Sequence, residues 1–274
     1  MIVSAKGSLP LRYFENLSRY KEIYHFVSTR SGGFSKAPYD SLNLGLHVGD
    51  DPETVIKNRS IIASGLNIPL PHFVIPNQVH GCKVAIVTDQ LKGSGVFDHV
   101  SALKETDAMI TNIPNICLML LQADCVPIVL FDVRKKVIGV AHAGWRGTVS
   151  RIAQNTIKAL CEKFGCLPEN ILAGIGPSIG PCCYEVGYDT IVQFENAFCT
   201  EKGFIYNKMS DGKGYLDLWD ANKVQIMQTG IPEMNIEVAG LCTNCNHDLF
   251  FSYRYQKGDT GRFGMGIMLK GGSL

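Results

Sequence analysis

The sequence predicts an α/β fold in one domain spanning residues 1–274, and three features carry that reading. Short apolar strand segments alternate with helical segments along the chain. Residues 116–121, Ile-Cys-Leu-Met-Leu-Leu, are apolar at every position, as a strand covered on both faces requires. From Val137 to Thr148 the apolar period then changes from 2 to 3.6, the mark of a strand handing over to a helix.

Residues 23–28 read as a strand, followed at 29–45 by a long polar, glycine-bearing loop of the length that usually binds something or lacks order. Asp51 is placed as an N-cap and Pro52 as the first residue of a helix running to about Leu66 through Val55, Ile56, Arg59, Ile62 and Ala63. Residues 73–75 and 83–87 are short strands on either side of 77–81, which leaves His80 at a strand end or turn. Strands follow at 107–111 and 116–121, the second central in a sheet and ending in the polar run 122–127, where the residue before Pro127 is pushed towards extended geometry. Residues 128–131 and 137–140 flank 132–136 as a hairpin, which brings Cys125 and His142 towards the same end of two paired strands. Gly144 and Gly147 bracket a turn, and from Val149 the apolar positions Ile152, Ala153, Ile157, Leu160 and Phe164 define an amphipathic helix. The second half repeats the alternation, with a strand at 171–175, a loop at 176–181, helices near 188–198 and 218–228, and strands at 236–239, 250–255 and 262–268. There is no clean repeat, low-complexity tract or obvious linker.

A hydrophobic content of 46% over 274 residues is ample for a sizeable core. The 26 basic and 25 acidic residues leave a net charge of +1 and form no basic stripe. That argues against nucleic-acid and membrane partners and for a small-molecule ligand, with no obligate protein partner. Residues 1–14 carry a charge or a proline every few positions without an apolar core of signal-peptide length, and no later run is long enough to span a bilayer. The expected location is the cytoplasm. The ten cysteines are scattered, several (Cys117, Cys161) at apolar positions, so most are expected to be buried free thiols.

His80, Cys125 and His142 each end or interrupt an apolar strand segment beside Gly or Asp, where a side chain can face a cleft. Two imidazoles and one thiolate make a three-ligand zinc set that leaves a fourth position for water or substrate. Spacing alone leaves the alternative open, that these are satisfied core histidines and a buried thiol. The turn after His142 presents free N–H groups and a helix start that favour an anion, with Arg146 beside it. Arg30, Arg59 and Arg146 are candidates to clamp an anion, against the plain reading of solvated or salt-bridged side chains. Glu185 is a candidate acid or base, with helix capping as its plain reading. The pair Cys242-Thr-Asn-Cys245 lacks a second pair of similar spacing, and adjacent Cys182-Cys183 is a poor partner for it, so these read as ordinary thiols. Gly174-Ile-Gly176-Pro-Ser178-Ile-Gly180 lacks a Walker lysine and reads as a substrate-shaping loop.

Together, Ser28-Thr29-Arg30-Ser31-Gly32-Gly33, Ser41-Leu42-Asn43-Leu44-Gly45, Gln78-Val79-His80-Gly81, Ala123-Asp124-Cys125-Val126-Pro127, His142-Ala143-Gly144-Trp145-Arg146-Gly147, Gly176-Pro177-Ser178-Ile179-Gly180 and Cys242-Thr243 resemble the laccase-domain, or multicopper polyphenol oxidase, family, whose members are regarded as purine nucleoside phosphorylases. The resemblance runs from about Tyr24 to Met268 and is most specific at His142 to Gly147. It implies a layered α/β/β/α fold with mixed central sheets, similar to the catalytic domain of cytotoxic necrotizing factors. It implies that His80, Cys125 and His142 are catalytic and hold a zinc ion, or copper, and that Asn43 joins Arg146, Arg30, Arg59 and Glu185 among the substrate- or phosphate-binding candidates. The activity implied is phosphorolysis of adenosine, inosine, guanosine and methylthioadenosine, with hydrolytic deamination of adenosine. A metal in that set would activate water for deamination, and Arg146 with the helix start would hold phosphate for the other reaction.

Copper-cluster oxidation as the main chemistry is rejected, because such clusters use His-x-His pairs and this chain has seven histidines and no such pair. The alternative is an amide hydrolase editing peptidoglycan precursors, either zinc-dependent or with Cys125 as nucleophile and His142 as base. A non-enzymatic metal-binding protein fits a half-open ligand set poorly.

Overall fold

The structure, a computed structural model, describes residues 1–6, 9–198 and 203–271. Two six-stranded mixed sheets dominate it. The first runs β1 (Ile2–Lys6), β2 (Leu9–Tyr13), β3 (Ile23–Val27), β15 (Phe263–Leu269), β7 (Cys117–Gln122) and β4 (Phe73–Val74). The second runs β14 (Ile236–Val238), β10 (Ile171–Ile175), β8 (Val126–Asp132), β9 (Val137–Ala143), β6 (Ala108–Thr111) and β5 (Val84–Ile86). A small third sheet pairs β11 (Glu185–Val186), β13 (Gly214–Leu216) and β12 (Ile205–Tyr206). The helices are α1 (Glu15–Ser18), α2 (Pro52–Leu66), α3 (Trp145–Val149), α4 (Ile152–Phe164), α5 (Tyr188–Ala197) and α6 (Leu218–Gln228).

The alternation of side chains along the strands sets the layers. In β7, Leu118 and Leu120 enter a core shared with Val129, Phe131, Ile138 and Val140 of the second sheet, so the two sheets lie face to face. On its other face β7 turns Cys117, Met119 and Leu121 to Ile62, Ala63 and Leu66 of α2. The far face of the second sheet, through Ile128, Leu130, Ala141 and Ala173, packs on Ile157 and Leu160 of α4 and Ala221 and Ile226 of α6. The order is therefore helix, sheet, sheet, helix, a mixed α/β single-domain fold. No helix among the described residues is long and apolar enough to cross a membrane.

The α2 reading holds at its start: Asp51 caps the helix by accepting the N–H of Thr54 at 2.9 Å, with Pro52 at the first position. The hairpin β8–β9 is also as expected, and β7 is buried throughout, although it has only the two-residue β4 between it and the sheet edge.

Two expectations need correction, and one segment carried none. Residues 250–255 are not a strand. Phe250 and Phe251 fill the core between the sheets, and the backbone then turns, Phe250 N–H donating to Asn246 O and Gln256 N–H to Ser252 O. The helix expected from Val149 is broken after Ser150, and Arg151, at a φ of 61°, separates α3 from α4. The N-terminal segment, read only for what it lacked, forms the antiparallel hairpin β1–β2 at the edge of the first sheet.

Candidate functional site

Pairing register assembles the site at one end of the two sheets. In the β8–β9 ladder Val126 faces Ala143 and Pro127 faces His142, so Cys125 lies across from Gly144. In the β6–β9 ladder Ala108 faces Ala141, which brings Asp107, one residue earlier, beside His142, and His142 N–H donates to Asp107 O at 2.7 Å. The chain leaves β7 of the first sheet at Gln122 and enters β8 of the second at Val126, so Cys125 sits where the sheets meet. His80 arrives on a loop with a φ of 62°.

The donor atoms of His80, Cys125 and His142 all lie within 4.8 Å of one another. Asp107, fully buried, holds the arrangement: Oδ1 accepts the N–H of His80 and lies 2.9 Å from His142 Nδ1, and Oδ2 accepts the N–H groups of Val79 and Gly81 at 3.2 and 2.8 Å. One carboxylate thus places the His80 loop and, by accepting a hydrogen bond from Nδ1–H of His142, turns Nε2 towards Cys125 or a metal. Gln78 pins the same loop through a paired amide contact with the backbone of Leu121, 2.9 Å each way. Gly144 is required by space: a Cβ there would lie 2.9 Å from Cys125 Sγ and 3.1 Å from a ring carbon of His80.

Burial pushes the Cys125 thiol up, but the charge of His142 and hydrogen bonds from both histidines outweigh it and bring the thiol down to about 6. Burial pushes His142 down, and the Cys125 thiolate with the Asp107 carboxylate overcomes this to raise it to about 9. The two groups favour a thiolate–imidazolium pair.

The trio opens into a cavity of about 560 Å³, within the size range of small-molecule sites. Its wall carries His47, Trp145, Arg146, Tyr184, Tyr253, Arg254 and Arg262. The Arg146 guanidinium rests over the Trp145 ring at 4.4 Å and makes no hydrogen bond within the described residues, so its donors are available to a ligand. Burial pushes the Tyr184 phenol further above its ordinary value, and at neutral pH its hydroxyl is a hydrogen-bond donor. Burial, helped by Arg262, brings His47 down to about 4, which keeps it neutral.

The other sequence candidates fall elsewhere. Arg59 is buried and donates to the carbonyls of Leu44, Gly95 and Val96, a structural tie far from an anion role. Arg30 is consumed by Asp40 and the His247 carbonyl and lines a separate hollow with Ser31 and Asp248. The Glu185 carboxylate faces the Tyr215 hydroxyl at 3.4 Å, outside the cavity lining. Asn43 is also outside the lining, but its Oδ1 accepts the N–H of Arg262 at 2.8 Å and so positions a residue that is in it. The anion-binding helix start is reduced to the five-residue α3.

Sequence reasoning missed Asp107 and underused Asp124. Asp124, at φ 89°, ties three loops at the cavity rim through Thr243 Oγ1 (2.6 Å), Arg254 N–H (2.7 Å) and Ile179 N–H (2.9 Å). The available signal for Asp107 was a carboxylate at the head of the strand read at 107–111, and for Asp124 its position inside Ala-Asp-Cys-Val-Pro.

Comparison with known proteins places the chain in a family. The chain is 40% identical over 242 residues to the purine nucleoside phosphorylase YlmD of Bacillus subtilis (strain 168), covering 88% of this chain and 87% of that protein. It is 35% identical over 245 residues to the adenosine deaminase RL5 of an unknown prokaryotic organism, covering 89% of this chain and 93% of that protein. The crystal structure of the Bacillus licheniformis hypothetical protein YfiH matches with a TM-score of 0.91 at 38% identity, over 96% of this chain and 97% of that one. The family described as multi-copper polyphenol oxidoreductase laccase matches residues 24–270. The chain belongs to that family.

Proposed function

We propose that this chain is a zinc-dependent purine nucleoside phosphorylase acting on adenosine, inosine, guanosine and methylthioadenosine, and that it also deaminates adenosine. The observation that carries the reading is the convergence of two imidazoles and a thiolate at the base of a cavity whose wall presents Arg146, stacked on Trp145 and without a hydrogen bond among the described residues. The names of the relatives point the same way. Zinc fits the donor set: three N and S ligands on rigid strand ends and a carboxylate-held loop leave one side open to the cavity, as a catalytic rather than a structural site requires. A zinc held there supplies Lewis-acid activation of water or of a substrate oxygen.

The protein groups do the rest. Arg146 offers guanidinium N–H donors to phosphate oxygens, and Arg254 and Arg262 add positive charge along the same wall. Trp145, Tyr184 and Tyr253 offer flat faces to a purine. The Tyr184 hydroxyl, on the same wall, is a donor suited to a ring nitrogen of the departing base. Asp107 keeps the proton of His142 on Nδ1.

One observation favours a second reading. Cys125, His142 and Asp107 also have the roles of a nucleophile, a base and an orienting carboxylate, with the thiol already lowered, which suits a thiol amide hydrolase. The test is to incubate the metal-loaded protein with adenosine, with and without phosphate, and identify the products by chromatography. Adenine that appears only with phosphate, and inosine that appears without it, are expected. Detection of neither adenine nor inosine with metal-loaded protein would contradict the proposal.

A further inference from the structure

We propose that Cys182, Cys183, Cys242 and Cys245 form a second metal site that holds one tetrahedral zinc ion and clamps the loop carrying Ile179 and Tyr184 of the cavity wall to the turn at 242–247. The chain folds these four sulfurs to within 4.8 Å of one another, although the sequence offers only an adjacent pair and a CxxC about sixty residues apart. Cys182 and Cys183 lie 3.6 and 3.4 Å from Cys245, Sγ to Sγ. Zinc–sulfur bonds of about 2.3 Å in a tetrahedron set the sulfurs about 3.8 Å apart, which these separations approach. A disulfide brings two sulfurs to about 2.05 Å and leaves the others out. A multi-iron cluster spreads its four cysteines wider than one ion does.

Hydrogen-bond donors already point at the sulfurs, as thiolate ligands need. Gly180 N–H reaches Cys242 Sγ at 3.3 Å, and Asn244 Nδ2 reaches Cys183 Sγ at 3.2 Å. Four thiolates around a divalent ion carry net negative charge, and the Arg254 guanidinium, bonded to the Cys183 carbonyl at 3.2 Å, partly offsets it. Cys182 and Cys245 are exposed, which gives an ion an entry path. Binding releases the thiol protons to solvent and consumes no oxidant.

With four sulfurs the shell is closed, so the ion is structural. It joins the loop at 176–184 to the turn at 242–247, which already touch through Ser178 N–H to Leu241 O and Thr243 N–H to Ser178 O. Ile179, Tyr184 and Arg254 of the cavity wall hang on these segments. The clamp therefore sets the shape of the pocket without touching the reacting atoms.

The test counts metal and thiols in protein purified with reductant from zinc-supplied cells. Wild type is expected to hold two zinc ions per chain, Cys125→Ala one, and Cys182→Ser/Cys245→Ser one. Cobalt exchanged into Cys125→Ala is expected to show the strong thiolate-to-cobalt charge transfer of a four-sulfur site, a readout that needs no change in the quartet. Stripping the ion from Cys125→Ala is expected to lower Tm by about 5 °C. The proposal is overturned by cobalt-loaded Cys125→Ala without that charge transfer, by iron in the quartet, or by disulfides among its four cysteines in the protein as isolated. Unchanged metal in Cys125→Ala with one ion lost from the double variant would refute the trio reading and leave this one standing.

Discussion

Replacing Asp107 with Asn isolates the one carboxylate on which the site depends. Its Oδ1 serves His80 N–H and His142 Nδ1, and its Oδ2 serves the N–H groups of Val79 and Gly81. An amide has one accepting oxygen, so in either orientation two of these four donors face an NH2 group instead. If the oxygen stays with His142, the His80 loop loses two anchors; if it turns to the loop, His142 loses the acceptor that fixes its tautomer. Two hydrogen bonds to a buried charge, at about 1.5–3 kcal/mol each, put the loss at about 3–6 kcal/mol, divided between stability and metal affinity. On the metal side, loss of a ligand's supporting carboxylate costs about 10–100-fold in affinity. Urea denaturation and competition with a chromophoric chelator measure the two parts. Asp107→Asn with wild-type stability and zinc affinity within about twofold of wild type would refute the role given to Asp107.

Three further outcomes follow from single contacts. Arg146→Ala should reduce phosphorolysis about 10-fold or more while largely sparing deamination, since only the first reaction uses phosphate; equal losses measured on adenosine would assign Arg146 to nucleoside binding or folding. Gly144→Ala keeps an allowed backbone (φ −64°, ψ 173°) but drives a methyl against Cys125 and His80, so it should lose zinc, and full zinc occupancy would refute the packing argument. His25 is buried, its Nε2 accepts the Phe14 N–H at 2.9 Å, and burial brings it down to about 4 from 6.5. Because the folded value lies below the unfolded one, its contribution is fully present above pH 6.5 and is lost as pH falls towards 4, up to about 3 kcal/mol. His25→Gln should flatten stability over that window in denaturation curves, and an unchanged slope would place its origin elsewhere.

Local chemistry made part of this molecule legible in its sequence. Asp51-Pro52 announced α2, the hairpin at 132–136 put Cys125 and His142 at one end of two strands, and the His142 to Gly147 block marked the site. What stayed hidden depends on contacts between distant segments. Asp107 matters because of where β6 lies beside β9, which no neighbouring residue reports. Arg59 has the look of an anion ligand and is instead satisfied by three carbonyls that folding brings to it. Residues 250–255 carry a strand's apolar pattern, yet Phe250 and Phe251 bury between sheets while Asp124 draws the Arg254 backbone to the cavity rim. The break at Arg151 has no glycine or proline to signal it. The four cysteines meet only once the loops at 176–184 and 242–247 are side by side.

The most direct test of the central claim is turnover of adenosine during zinc titration of chelator-stripped protein, with Cys125→Ala titrated in parallel. If His80, Cys125 and His142 hold the working ion, the stripped wild type is inactive, recovers phosphate-dependent release of adenine as zinc is added, and binds one ion more than Cys125→Ala, which recovers nothing. Full activity in the stripped wild type, with an acyl adduct on Cys125 detected by mass spectrometry, would contradict the account and make Cys125 a nucleophile instead of a ligand.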